Sequence, residues 1–190
     1  MVLKELKNLK KDTERAKDWV AAEFSYAKNL QVKLKDIEKL ETSQAEKNIR
    51  SGLKILRWVG RGERRADRYE RRVMDELKKL GNILPKTLKD EEEDLSKELD
   101  VVEAKLVKAA SIFTGDLRGE LLELETDEQL LAHLQKKKPQ EADKIKRLLH
   151  QLVEKTENEV DDLMKWIGTT EAVLKKIEGF EAKLEKLSEG

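Results

Sequence analysis

Eight of the eleven arginines in this 190-residue chain lie between positions 50 and 72: Arg50, Arg57, Arg61, Arg64, Arg65, Arg68, Arg71 and Arg72. Lysine carries nearly all positive charge elsewhere, and only Lys54 falls inside this window. Arg50, Lys54, Arg57, Arg61, Arg64, Arg68 and Arg71 step by four and three, which places them on one helical face opposite Ile49, Leu56, Val59 and Val73. A continuous helix would spread that row over roughly 33 Å. The choice of arginine has a chemical consequence. Its planar fork pairs two phosphate oxygens at once, whereas lysine acts as a point charge. Trp58 sits beside the row, where it could stack on a base or rest at a lipid interface. These residues together form a candidate polyanion-binding face, and RNA or DNA is the ligand it would suit. The plainer alternative is a solvated ion-pair lattice. Asp67 with Arg71, Arg71 with Asp75 and Arg72 with Glu76 are each four residues apart, and such exposed pairs contribute only about 0.3–0.5 kcal/mol each.

Two acidic residues in the same window are out of place. Glu63 and Glu70 occupy slots where Leu56 and Leu77 continue an apolar seam. Between Gly60 and Arg72 only Ala66 and Tyr69 offer appreciable apolar area, and Gly60 and Gly62 would each weaken a helix by about 1 kcal/mol. Three outcomes fit this pattern: a helix break at Gly60–Gly62, a helix projecting beyond its core, or inward carboxylates that meet arginines from a partner. The Gly60-Arg61-Gly62 triplet occurs in some RNA-binding segments but is too common to name a family.

Catalytic constellations are weak. The chain has no cysteine and only two histidines, His133 and His150. Neither histidine has a glutamate three residues before it, so the paired Glu-x-x-His pattern of di-iron bundles is missing. His150 and Glu154 share a helical face, but two groups do not make a ligand set. Ser111 has no histidine nearby in sequence, and no glycine-rich phosphate loop follows a strand. Glu63 and Glu70 could serve as acid and base or hold a divalent ion, yet carboxylates are too abundant here for one pair to be diagnostic. The expectation is therefore a non-enzyme with no catalytic residues, no metal, no cofactor and no small-molecule substrate.

The elements that must position the arginines follow from periodicity. With 42% charged and 4% aromatic residues, the choice lies between disorder and a helical bundle. Leu6, Leu9, Thr13, Ala16, Val20, Ala27, Leu30, Leu34 and Ile37 recur at steps of three and four, with Glu23 interrupting one slot. Trp19, Phe24 and Leu40 widen the stripe, which makes it the core face of a helix over about residues 3–41, roughly 57 Å long. Thr42 or Ser43 with Glu46 resembles a capping box that opens a second helix, with inward positions Ala45, Gly52, Val59, Ala66, Val73 and Leu80. Gly81, Asn82 and Pro85 end it.

A third helix carries Leu88, Leu95, Leu99, Val102, Leu106, Ala109 and Phe113. Thr114 and Gly115 look like its stop, with Asp116 capping a short segment. Thr126 with Gln129 suggests another start, and Lys136–Lys138 before Pro139 suggests an end and a restart. Ala142, Ile145, Leu149, Leu152, Val160, Leu163 and Ile167 define a fifth helix to Gly168, and a sixth runs from Thr170 to Leu187. No strand signal competes. The expected fold is all-α: an elongated bundle of about six helices built on a long antiparallel N-terminal hairpin. Residues 1–82 form that hairpin with its basic face. Residues 83–190 pack on it or form a second bundle, the single-domain reading being preferred.

Charge balances overall but not locally. Residues 1–81 hold 22 Lys+Arg against 14 Asp+Glu, residues 82–128 hold 6 against 14, and residues 129–190 hold 12 of each. Either the acidic helix neutralises the basic hairpin, or each presents its own surface, the basic one to a polyanion and the acidic one to a basic partner. No apolar run is long enough to span a bilayer, and the N-terminal residues lack the apolar core of a secretory signal. These readings converge on a soluble, cytoplasmic interaction or scaffold protein, with coiled-coil-like seams suited to a protein partner or to self-association. Binding of RNA or DNA through the Arg50–Arg72 face is the alternative.

Overall fold

In the computed structural model, which describes residues 2–189, four α-helices follow one another: α1 (Val2–Lys35), α2 (Thr42–Gly81), α3 (Lys86–Leu134) and α4 (Pro139–Glu189). A single 3-10 turn, Ile37–Lys39, lies between α1 and α2. No strand occurs among the described residues. The all-α expectation holds, but about six helices become four.

The breaks at Thr114–Gly115, Thr126 and Gly168–Thr170 do not occur. Their threonines turn back into the helix: Thr114 Oγ1 donates to the Ala110 carbonyl at 2.9 Å, Thr126 to Leu122 at 3.0 Å, Thr169 to Lys165 at 3.0 Å and Thr170 to Trp166 at 2.9 Å. A hydroxyl satisfied at i−4 does not cap a new helix. The apolar seam also runs on through Phe113, Leu117, Leu121 and Leu124, all buried. The helix at Gly60–Gly62 is likewise unbroken. Burial along the seam outweighs the roughly 1 kcal/mol that each glycine costs. Three stops hold: the one before Thr42, although α1 ends at Lys35 and a 3-10 turn at Ile37–Lys39 replaces the expected continuation to about residue 41, and those at Asn82–Pro85 and Lys136–Pro139, with proline at or just before each new helix start.

The chain divides into two compact units, each drawing on all four helices. The first comprises Met1–Phe24, Arg61–Lys108 and Lys165–Gly190; the second comprises Ser25–Gly60 and Ala109–Met164. In the first unit Arg15 meets Tyr69 and Arg65 meets Trp19, so α1 and α2 run antiparallel. Lys176 reaches Glu98 at 2.6 Å and Lys183 reaches Glu91 at 2.8 Å, which sets α4 antiparallel to α3. Lys10 with Glu185 and Lys17 with Glu178 tie α4 back to α1. The core of this unit is mostly aliphatic, with Leu9, Val20, Val73, Leu77, Leu99, Leu106 and Leu174 buried beside the aromatic Phe180. Truncating a residue such as Leu106 to alanine would cost about 2–5 kcal/mol.

The second unit repeats this arrangement around Leu30, Leu34, Ile49, Val59, Phe113, Leu117, Val160 and Leu163. Asn48 Nδ2 donates to the Lys33 carbonyl at 3.3 Å, Arg50 lies 3.6 Å from Glu125, and Lys155 lies 2.9 Å from Glu120. Gly52 is buried because α1 passes close by: a Cβ there would stand 3.1 Å from Leu30 Cδ1. Among the described residues no helix is long and apolar enough to cross a membrane.

Candidate polyanion-binding face and the buried carboxyls beneath it

The apolar residues of α2 fix which way its arginines point. Ala45, Ile49, Val59, Ala66, Val73, Leu77 and Leu80 are fully buried, and a helix that buries that stripe must turn the positions between outward. In the second unit Arg50, Lys54 and Arg57 are exposed on α2, and in the first unit so are Arg61, Arg64, Arg65, Arg68, Arg71 and Arg72. Trp58 is 46% exposed and rests against Tyr26, ring centroids 5.8 Å apart. It is thus a partly covered edge residue with one open face.

The ion-pair lattice is largely missing. Of the eight arginines only Arg50 and Arg71 make ion pairs among the described residues. Arg50 reaches Glu46 and Glu125, each at 3.6 Å, and Arg71 reaches Asp67 at 3.3 Å and Glu103 at 3.5 Å. The expected contacts of Arg71 with Asp75 and Arg72 with Glu76 do not form. Arg65 and Arg72 instead lie over aromatic rings, 4.6 Å from Trp19 and 5.2 Å from Tyr69. These contacts fix the guanidinium planes while leaving the positive charge uncompensated. Arg61, Arg64 and Arg68 have neither kind of partner. The acidic residues of α3 divide their attention: Glu103 and Glu125 face α2 arginines, whereas Glu91, Glu98 and Glu120 pair with lysines of α4.

Beneath the arginines of the first unit lies the opposite charge. Glu63 and Glu70 point inward, 7% and 0% exposed, and meet Glu23 of α1, also 0% exposed. Among the described residues none of their six carboxyl oxygens has a hydrogen-bond donor. The helix neither breaks nor projects beyond the core here, and within the chain the carboxyls meet one another rather than an arginine. Burial drives Glu23 and Glu70 well above the ordinary carboxyl value, reinforced for Glu23 by Glu63 and for Glu70 by Glu63, Asp67 and Glu103. Burial also raises Glu63. Glu103 is pushed up to about 7, first by burial, then by Asp67, with Arg71 opposing. No group of three or more acidic or histidine side chains among the described residues has the geometry to hold a metal ion.

His150 does not engage Glu154. Its Nδ1 lies 2.8 Å from Glu38 in the 3-10 turn between α1 and α2. The hydrogen bond and charge of Glu38 raise His150 above its ordinary value. A cleft of about 890 Å³ beside it is lined by Lys39, Lys136 and Lys146 but also by Glu38, Glu41 and Glu128, so it presents no field of one sign.

Sequence reasoning flagged Glu63 and Glu70 and missed their companions. Glu92, Glu103, Glu120, Glu128 and Glu181 are also buried. The signal was present: Glu92, Glu103, Glu120 and Glu128 occupy slots of the α3 seam marked by Leu95, Leu99, Leu106, Leu117, Leu124 and Leu131.

Comparison with known proteins gives no relative. No family model, no curated protein and no solved structure matches this chain.

Proposed function

We propose that this is a non-enzymatic helical-bundle interaction protein that docks a macromolecular partner through the charged face of its N-terminal hairpin, residues 1–82. One observation supports the reading above all: Arg61, Arg64 and Arg68 stand exposed on α2 with no ion pair, amid Arg65 and Arg72, whose planes are held by rings. Six arginines lie within twelve residues, and the unpaired ones repel one another until an anion arrives. The partner therefore presents clustered negative charge.

A second reading, that the partner is RNA or DNA, is favoured by the use of arginine where the rest of the chain uses lysine. Bidentate pairing with phosphate is what that choice provides. The two readings separate in one titration. Fluorescence anisotropy of labelled single-stranded RNA, duplex DNA and a poly-glutamate peptide would be followed from low to near-physiological salt. Micromolar RNA or DNA binding, with a slope worth several counterions and loss in R61Q/R64Q/R68Q, supports the nucleic-acid reading. Binding of the acidic peptide alone supports a protein partner. Binding of none at low salt overturns the polyanion face.

A further inference from the structure

We propose that Glu23, Glu63, Glu70 and Glu103 form a pH-operated latch among α1, α2 and α3: the helices close around the group while protons are shared within it and loosen when all four ionise. The geometry comes first. Glu23 and Glu63 lie within hydrogen-bonding reach across the α1–α2 interface, yet two ionised carboxylates have only acceptors. A bond between them exists only when one carries a proton. Glu70 follows Glu63 two turns on, equally without a donor. Asp67, between them in sequence, shares a similar contact with Glu103 of α3.

Among the described residues, the charged groups that act on this cluster from outside it are Asp67 and Arg71 of α2, beside the mutual effects of Glu23, Glu63, Glu70 and Glu103; none from α4 shifts them. Arg71 is the cation that, among the described residues, pairs with the cluster, at its outer edge against Asp67 and Glu103. Three carboxylates deeper in the cluster have none. Ionised together in a low-dielectric interior, they would carry like charge without solvation, a state that proteins escape by neutralising the group or opening the site.

The sign follows from linkage. A carboxyl held above its unfolded value contributes stability that is complete below about 4.3 and is lost as pH rises through the folded value. For Glu103 that loss spans about 4.3 to about 7, and Glu23 and Glu70, held well above the ordinary carboxyl value by burial, contribute in the same direction. The protein is therefore stabilised by mild acid, the reverse of ordinary acid denaturation.

Thermal unfolding followed by circular dichroism from pH 5 to pH 9 tests this on the full chain. The wild-type midpoint should fall by at least about 5 °C over that range. E23Q/E63Q/E70Q should flatten the profile and raise the midpoint at pH 8–9, whereas the surface variant E93Q should keep the wild-type slope. A flat or rising wild-type midpoint overturns the proposal, as does equal flattening by E93Q. Should the triple variant fail to fold, carbon-13 titration of the wild-type glutamate carboxyls decides. Assigned individually, Glu23, Glu63 and Glu70 must each titrate above the ordinary value of about 4.3; any of the three titrating at that value overturns the latch.

Discussion

Glu23 of α1 and Glu63 of α2 meet carboxyl to carboxyl inside the first unit, and none of their four oxygens has a donor. In a chain with 40 acidic and 40 basic residues, a lysine or arginine opposite Glu23 would have been an easy solution. The fold instead turns its arginines out and its glutamates in, so interior and surface on α2 carry opposite unmet needs.

The interior need predicts a stabilising substitution. Glu70→Met keeps the volume and removes a buried carboxyl that has no partner. It should raise stability at pH 8 by about 1–3 kcal/mol, since replacing buried charge with packed apolar groups is often favourable. Urea denaturation at pH 8 checks this, and a loss of stability would mean that Glu70 has a partner in solution.

The surface need predicts the contrary pattern. R61Q/R64Q/R68Q removes three side chains that contact no carboxylate, so the unfolding midpoint should correspond to a change within about ±0.5 kcal/mol for each substitution. R71Q differs. It removes the cation that, among the described residues, pairs with Asp67 and Glu103, so Glu103 should titrate higher and the stability loss at alkaline pH should steepen. Denaturation curves at pH 5 and pH 8 separate the two cases.

Glycines give a clean test of helix continuity. A Cβ at Gly115 or Gly119 meets nothing within 4 Å, and no glycine among the described residues has a positive φ. Gly115→Ala and Gly119→Ala should each stabilise by about 1 kcal/mol. Gly81→Ala should destabilise, because its Cβ would collide with the carboxyl group of Glu92, itself buried and bonded to Ser96 at 2.9 Å. Thermal melts of the three variants rank them; a gain at Gly81 would mean that Glu92 moves aside.

His150 supplies a pH readout in the second unit. Glu38 favours its charged form, so its contribution is present below the ordinary value near 6.5 and is lost as pH rises through the raised one. Proton NMR should place the His150 midpoint above 6.5, and Glu38→Gln should lower it. An unchanged midpoint in that variant would show that the contact is not maintained in solution.

The apolar stripes of α1 and α2 were legible because each requires only local spacing. Leu6 through Ile37 and Ala45 through Leu80 are buried as their periodicity requires. The exposure of the arginines follows from the same spacing, because a helix that buries one face must show the other. The helix ends were only half legible. Thr114, Thr126 and Thr170 carry the chemistry of caps, and whether a hydroxyl caps or bonds back depends on whether the seam beyond it has something to pack against. Only the other helices supply that.

What the sequence determined by itself was therefore the all-α class, the inward and outward faces and the placement of Glu63 and Glu70 on the inward one. Tertiary structure decided what those carboxyls meet. Glu23 lies forty residues away in sequence, and its approach to Glu63 depends on the register of α1 against α2. Within the first unit that register is set by the fit of α1 against α2, where Arg15 meets Tyr69 and Arg65 meets Trp19, and no local pattern encodes it. The same holds for Arg65 over Trp19 and for the arginines left without partners. A charge is paired or free according to what the neighbouring helix brings alongside it.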